Sequence, residues 1–273
     1  MSIMASFEIK GKVVILTGGS GTLGSSMAEH LSVQGAVVVI IGRSEEKVQN
    51  TIRSLSGSGT EPLGFAGNVL DKGFLVQVKE EVLGRFGKID ALVNAAGGNM
   101  PGATIGEKES IFDLDMKDFR KVSELNLDGS VLPSIVFGEA MAHQKQGSII
   151  NISSMTTTQA VTRVVGYSAS KAALENFTRW MAVEMASKFS SSIRVNAIAP
   201  GFFIADQNRS LLLNDDKSLT QRGEAIIRKT PMGRFGEAEE LNGAVQWLIS
   251  DSSSFVTGAI IPIDGGFSAF SGV

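Results

Sequence analysis

The sequence predicts an α/β fold, one seven-stranded parallel sheet covered by helices on both faces. Two observations carry that prediction. Short apolar runs alternate with helical patterns from end to end, and such alternation builds a parallel sheet. The main runs are apolar at every position rather than at every second one, as strands buried on both faces require. A third observation places a ligand: Gly19-Ser-Gly21-Thr-Leu-Gly24 stands between the first run and the first helical pattern.

Taken in order, residues 13–16 form the first strand. The helix after it repeats at Met27, Leu31 and Val33 and stops at Gly35. Residues 37–41 form the second strand. Ser44 followed by Glu45 and Glu46 is a helix start, a hydroxyl cap with acids where the helix dipole favours them. Residues 57–59 read as a turn and 63–66 as a weaker third strand. Phe74, Val78 and Val82 mark a helix, and residues 89–93 the fourth strand. A long helix is expected over 116–143, with a polar Asn126-Leu-Asp-Gly129 region inside it. Strands five, six and seven are residues 149–152, 193–198 and 260–263. The helix after strand five starts near Ser168, since Ala172, Leu174, Phe177, Trp180 and Met181 repeat near a 3.6 period. Residues 206–229 break the alternation, are rich in polar side chains and suit a substrate lid. No linker or repeat divides the sequence, so residues 1–273 read as one domain.

Composition narrows the function. The 273 residues are 43% hydrophobic and 19% charged, enough to bury a full core. A net charge of −3 with no basic block argues against nucleic acid or an anionic membrane as partner. There is no cysteine, hence no disulfide and no thiolate chemistry. His30 and His143 are the two histidines, so no metal site is expected. The N-terminus lacks an apolar signal core, and no run is long enough to span a membrane. A cytoplasmic protein acting on a small molecule is the expectation.

The glycine pattern is a phosphate cradle. Glycines let the backbone turn sharply and approach a pyrophosphate, whose charge meets a helix N-terminus. Gly18, Ser20, Gly21, Leu23 and Gly24 are therefore cofactor candidates. An acid at the end of strand two favours the free ribose hydroxyl of NAD, and an arginine suits the 2′-phosphate of NADP. Gly42-Arg43 stands there, with no acid before Glu45, so Arg43 points to NADP ahead of NAD.

Residues 148–171 carry the reaction chemistry. A strand ends at Ser153-Ser154, and Tyr167 precedes Lys171 by four residues, which places the two side chains on one helix face. A free phenol titrates near about 10, and a neighbouring ammonium favours the phenolate. A phenol so tuned gives or takes the proton of an alcohol or carbonyl. A serine beside it can hydrogen-bond the same oxygen.

Together these pieces resemble the short-chain dehydrogenase/reductase family, over nearly the whole sequence from Gly11 onward. The motifs come in order: Thr17 to Gly24, Asn68-Val69, Asn94-Ala-Ala-Gly97, Asn126, Ser154, Tyr167 with Lys171, Pro200-Gly201 and Asp264-Gly-Gly266. The resemblance implies a single-domain Rossmann fold and a catalytic set of Asn126, Ser154, Tyr167 and Lys171. Tyr167 would be the acid/base, and Ser154 would hold the substrate oxygen. Lys171 would bind the nicotinamide ribose and lower the tyrosine pKa. Asn126 would interrupt its helix and hold a water in a proton relay. Asn68 and Val69 would flank the adenine, Asn94 with Ala95 would support the cofactor strand, and Pro200-Gly201 would border the nicotinamide. A homotetramer is implied as well. A nicotinamide sensor that keeps the fold without catalysis is the alternative from a different class.

Longer runs narrow the resemblance. Asn94 to Thr104, Phe112 to Asp115, Pro200 to Arg209, Thr230 to Gly236 and Gly265 to Val273 resemble the D-mannonate oxidoreductases of this family, also called fructuronate reductases. That group would interconvert D-fructuronate and D-mannonate, and gluconate 5-dehydrogenases are the neighbouring alternative. Met100 stands where the group commonly has a histidine, and Gly42 where it often has an acid. A sugar acid needs a cation for its carboxylate and hydrogen bonds for its hydroxyls. Arg163 and Arg209 are the candidates for the first, and Asn99, Gln207 and Asn208 for the second.

Overall fold

A computed structural model describes residues 7–56, 60–205 and 208–272. The expected turn at 57–59, the start of the expected lid at Asp206 and the candidate Gln207 lie outside the described residues. The strands are β1 (Val13–Thr17), β2 (Val37–Gly42), β3 (Leu63–Ala66), β4 (Ala91–Asn94), β5 (Gly147–Ile152), β6 (Ile193–Pro200) and β7 (Ile260–Ile263). All pair in parallel, in the order β3-β2-β1-β4-β5-β6-β7. The order reverses between β1 and β4. A crevice therefore opens at the carboxyl ends of those strands, where open α/β sheets bind ligands.

The uniformly apolar strands are explained by the two cores. Val14, Leu16, Val38 and Ile40 pack on one face against α1 (Thr22–Val33), α2 (Glu45–Leu55) and α9 (Asn242–Ile249). Val13, Ile15, Val39 and Ile41 pack on the other against α3 (Lys72–Phe86), α5 (Gly129–Gln144) and α6 (Val165–Lys188). Successive strand side chains point to opposite faces, so both parities must be apolar. Among the described residues no helix is long and apolar enough to cross a membrane.

Three local departures matter for the site. The long helix expected over 116–143 is α4 (Met116–Ser123), a π-helical turn (Glu124–Asp128) and α5. The polar region is that turn, whose widened hydrogen bonding often marks a functional position. The helix after β5 begins at Val165, so Tyr167 already lies in its first turn. α9 is a short helix that the sequence pattern does not announce. The expected lid holds α7 (Arg209–Leu212) and α8 (Gln221–Lys229), seated on a small cluster of Leu212, Ile226 and Phe235. Thr220 caps α8 by accepting from the Gly223 N–H at 3.0 Å.

Candidate active site

The loop between β1 and α1 is set by close approach. A Cβ at Gly24 would lie 2.2 Å from the Gly18 carbonyl oxygen, and one at Gly18 would lie 2.7 Å from that of Ala95. Gly18 also has φ +68°, a left-handed conformation that glycine adopts without steric cost. Gly21 precedes α1 without any side-chain cap, and no acid stands in the first turn. Gly21 and Thr22 are exposed. An uncapped helix start with open N–H groups fits the pyrophosphate of a nicotinamide dinucleotide.

At the end of β2, a Cβ on Gly42 would meet the Ser20 hydroxyl at 2.5 Å. The space an acid would need is thus filled from the cradle itself, while Arg43 is exposed. Asn68 is exposed and turns its own loop, its Oδ1 accepting from the Leu70 N–H at 3.1 Å. Val69 is 4% exposed and packs in the core, so little of it is left to face an adenine. Asn94 is buried and donates to Ser134 and Asn151, each at 2.9 Å, tying β4 to β5 and α5. Ala95 follows it, with its N–H on the Thr17 carbonyl. Pro200 and Gly201 line the cavity described below, and the Gly201 N–H bonds the Ile263 carbonyl at 2.9 Å.

Tyr167, Ser154 and Lys171 come together at the mouth of the crevice. Tyr167 is partly exposed, lines the cavity and is hydrogen-bonded to the Ser154 side chain. Lys171 is 3% exposed and donates to the Ile152 carbonyl at 2.7 Å, with its Nζ 5.6 Å from the centre of the tyrosine ring. Burial brings its ammonium down to about 8. The expected depression of the tyrosine is not what the structure shows. Burial pushes the phenol above its ordinary value, and the opposing influence is the Ser154 hydrogen bond, not the lysine. The reason is desolvation, which disfavours the charged form of both groups.

Asn126 lies in the π turn, fully buried, yet its side chain is committed. Its amide donates to Gly98 at 2.7 Å and Val122 at 2.8 Å, and its Oδ1 accepts from the Gly98 N–H at 2.9 Å. Both amide hydrogens are spent, so the expected relay would not run through a water held by that amide. What Asn126 does is clamp the loop beside Lys171. A Cβ at Gly97 would lie 2.8 Å from Asn126 Oδ1 and 3.3 Å from Lys171 Nζ, which leaves glycine as the residue that fits between them.

Above Tyr167 opens a cavity of about 500 Å³. Asn99 lines it, donating to Thr104 at 2.6 Å while its Oδ1 has no partner. Arg163 lines it too, held at φ +78° with its Nε on the Ile105 carbonyl at 2.9 Å. Asn208 reaches the cavity, with each end of its amide holding a bond to its own loop. Its Oδ1 accepts from Ala205 at 2.8 Å and its Nδ2 donates to Phe203 at 2.9 Å, which shapes the loop and commits one of its two amide hydrogens. Arg209 is exposed at the start of α7 and does not line the cavity, which corrects its assignment to the carboxylate. Of the lining residues that sequence reasoning missed, two matter most. Thr156 presents an unpartnered buried hydroxyl, and Arg222 enters from α8. Thr156 stood in the polar stretch after Ser154, a visible signal; Arg222 carried none.

Comparison with known proteins finds relatives over nearly the whole chain. Residues 19–268 match the family model described as enoyl-(acyl carrier protein) reductase. UxuB of Bacillus subtilis (strain 168), an uncharacterised oxidoreductase, is 44% identical over 97% of this chain and 98% of its own length. The 2-dehydro-3-deoxy-D-gluconate 5-dehydrogenase of Dickeya dadantii is 32% identical over 98% of this chain and 99% of its own. Among solved structures, a Haemophilus influenza protein provisionally assigned as a D-mannonate oxidoreductase, with NAD bound, superposes with a TM-score of 0.90. It is 40% identical, over 97% of this chain and 98% of that one.

Proposed function

The chain belongs to the short-chain dehydrogenase/reductase family, and we propose that it interconverts a keto sugar acid and its hydroxy acid, with D-fructuronate and D-mannonate as the pair. As an NAD(P)-dependent oxidoreductase it relies on its nicotinamide for the hydride. The observation that carries the polyhydroxy reading is the pair of orphaned atoms in the cavity wall, Asn99 Oδ1 and Thr156 Oγ1. A buried polar atom without a partner costs about 1–3 kcal/mol, so a turn of either side chain towards a substrate hydroxyl is favoured, and an acyl tail would offer it no such partner. The names of the Dickeya dadantii relative and the Haemophilus structure support the sugar-acid class, while other relatives are named 3-oxoacyl-(acyl-carrier-protein) reductases. Met100 in the cavity favours a second reading, a gluconate 5-dehydrogenase, since the histidine common in the mannonate group is missing.

In reduction, the substrate carbonyl oxygen accepts hydrogen bonds from Ser154 and Tyr167. Tyr167 hands over its proton as the alcohol forms. A phenol raised by burial stays protonated at neutral pH, which suits the donor role. The reverse reaction needs the phenolate, so oxidation should gain with rising pH while reduction stays flat through neutrality. Rate profiles measured in both directions at saturating cofactor check this; an oxidation rate flat from about pH 7 to about pH 10 would contradict the role. Tyr167→Phe should keep cofactor binding and lose roughly 10²–10⁴ of turnover. Near-normal rates in that variant, followed by nicotinamide absorbance on a panel of sugar acids, would end the proposal.

Two finer points complete the reading. The coenzyme is NADP ahead of NAD, supported by the side-chain-free Gly42 and the exposed Arg43. A KM for NADH below that for NADPH would reverse this preference. The assembly is a homotetramer, supported by exposed Trp180, Val183 and Phe189 along or just after α6. Sedimentation giving a monomer would remove it.

A further inference from the structure

Arg163 and Arg222 come from segments far apart in the sequence, yet both line the same cavity. Arg222 donates to the Thr162 hydroxyl at 3.2 Å and to the Thr162 carbonyl at 3.4 Å, which brings it against the residue preceding Arg163. Arg163 is anchored by its Nε, and its side chain is 24% exposed. Burial lowers the affinity of Arg222 for a proton, and the neighbouring charge of Arg163 lowers it further. Compensation is poor. Arg163 has Glu107 at 3.8 Å, a carboxylate that is itself 88% exposed. Arg222 has no carboxylate within ion-pair distance among the described residues. Its position is also wrong for helix stability. It lies in the first turn of α8, where the helix dipole disfavours a cation, and Glu224 in the same turn is exposed.

Two like charges held together on a cavity wall, one of them at a helix start, make sense when an anion joins them. Guanidinium forks match a carboxylate in plane and bind it through paired hydrogen bonds. We propose that Arg222 and Arg163 form the carboxylate clamp of the substrate cavity, so that the substrates are acids whose carboxylate end lies between α8 and residues 162–163. The clamp also ties α8 to the catalytic side of the cavity. An acid bridges the two segments, and a neutral sugar leaves the two charges opposed. The inference rests on the sugar-acid reading above and gives it a discriminating element.

Steady-state kinetics with D-mannonate and with neutral D-mannitol, together with melting curves of the cofactor-loaded protein at graded D-mannonate, test the clamp. The wild type should use the acid in preference to the neutral polyol and melt higher in its presence. Arg222→Met should raise the KM for the acid roughly 10- to 100-fold, with a smaller change in kcat, and abolish the D-mannonate-dependent rise in melting temperature. Arg222→Lys, which keeps the charge and loses the fork, should fall between the two and guards against a folding defect in the methionine variant. A wild type that oxidises the acid, with an Arg222→Met or Arg222→Lys protein whose acid KM is unchanged, overturns the clamp and leaves the proposed function standing. A wild type that oxidises D-mannitol and no sugar acid overturns the proposed function, and the clamp with it.

Discussion

The cofactor side of the molecule, β1, β2 and α1, and the substrate side, residues 208–236, are held by different means. On the cofactor side, glycine is demanded by backbone contacts as short as 2.2 Å, and the strand side chains pack into two large cores. On the substrate side, α7 and α8 rest on three buried residues, Leu212, Ile226 and Phe235, among the described ones. Hydrogen bonds such as those of Asn208 and Thr220 complete the local packing. A small satellite cluster opens at lower free energy than a sheet core. The difference suits the chemistry: one side accepts a constant pyrophosphate, and the other must admit, clamp and release a substrate.

The largest effect expected from breaking this contrast is at Gly24. Gly24→Ala drives a methyl group into the Gly18 carbonyl, backbone against backbone, and should destabilise by about 2–4 kcal/mol while abolishing cofactor binding. Thermal melts and cofactor titration read both; a variant that melts normally would show the cradle to be far more pliable than these contacts allow.

A smaller effect, of opposite sign, is expected at the seam between the two sides. Lys171 is held at about 8, against an ordinary 10.5, by burial. A base lowered on folding weakens the fold while it is charged. That cost is full below about 8 and fades as pH rises towards 10.5. Lys171→Met should therefore stabilise the protein at neutral pH, by up to about 3 kcal/mol, while removing turnover. The gain should shrink at alkaline pH. Denaturant unfolding at about pH 7 and about pH 10 measures it, and a destabilised variant at neutrality would mean that the bond to Ile152 outweighs desolvation.

The smallest global effect belongs to the substrate side. Ile226→Ala should cost less than about 1 kcal/mol of overall stability, because its cluster opens on its own. It should instead raise the substrate KM several-fold and speed hydrogen exchange in residues 208–229. A full core-sized loss, about 2–5 kcal/mol, would show the two sides to be one cooperative unit.

The uneven legibility of the sequence follows the same division. The strands could be read because burial on both faces forces every position to be apolar, and the cradle because only glycine tolerates its contacts. Tyr167, Lys171 and Ser154 were readable as one helical turn beside a strand end. Reading failed where a role depends on where side chains spend their hydrogen bonds. Asn208 has the right chemistry for hydroxyls, but Ala205 and Phe203 hold its amide oxygen and one of its two amide hydrogens. Asn126 marks its helix interruption correctly, yet its amide is consumed by Gly98 and Val122. Arg209 and Arg222 look alike as letters, and only the fold shows that the second lines the cavity and the first does not.

By itself the sequence determined the parallel sheet, the phosphate-binding turn and the tyrosine–lysine pair, because each rests on period or on spacing within a few residues. Tertiary structure alone decided that the phenol is pushed up rather than down, and that Arg222 stands beside Arg163. Those outcomes depend on burial and on contacts between segments 60 residues apart, and neither leaves a local mark in the order of amino acids.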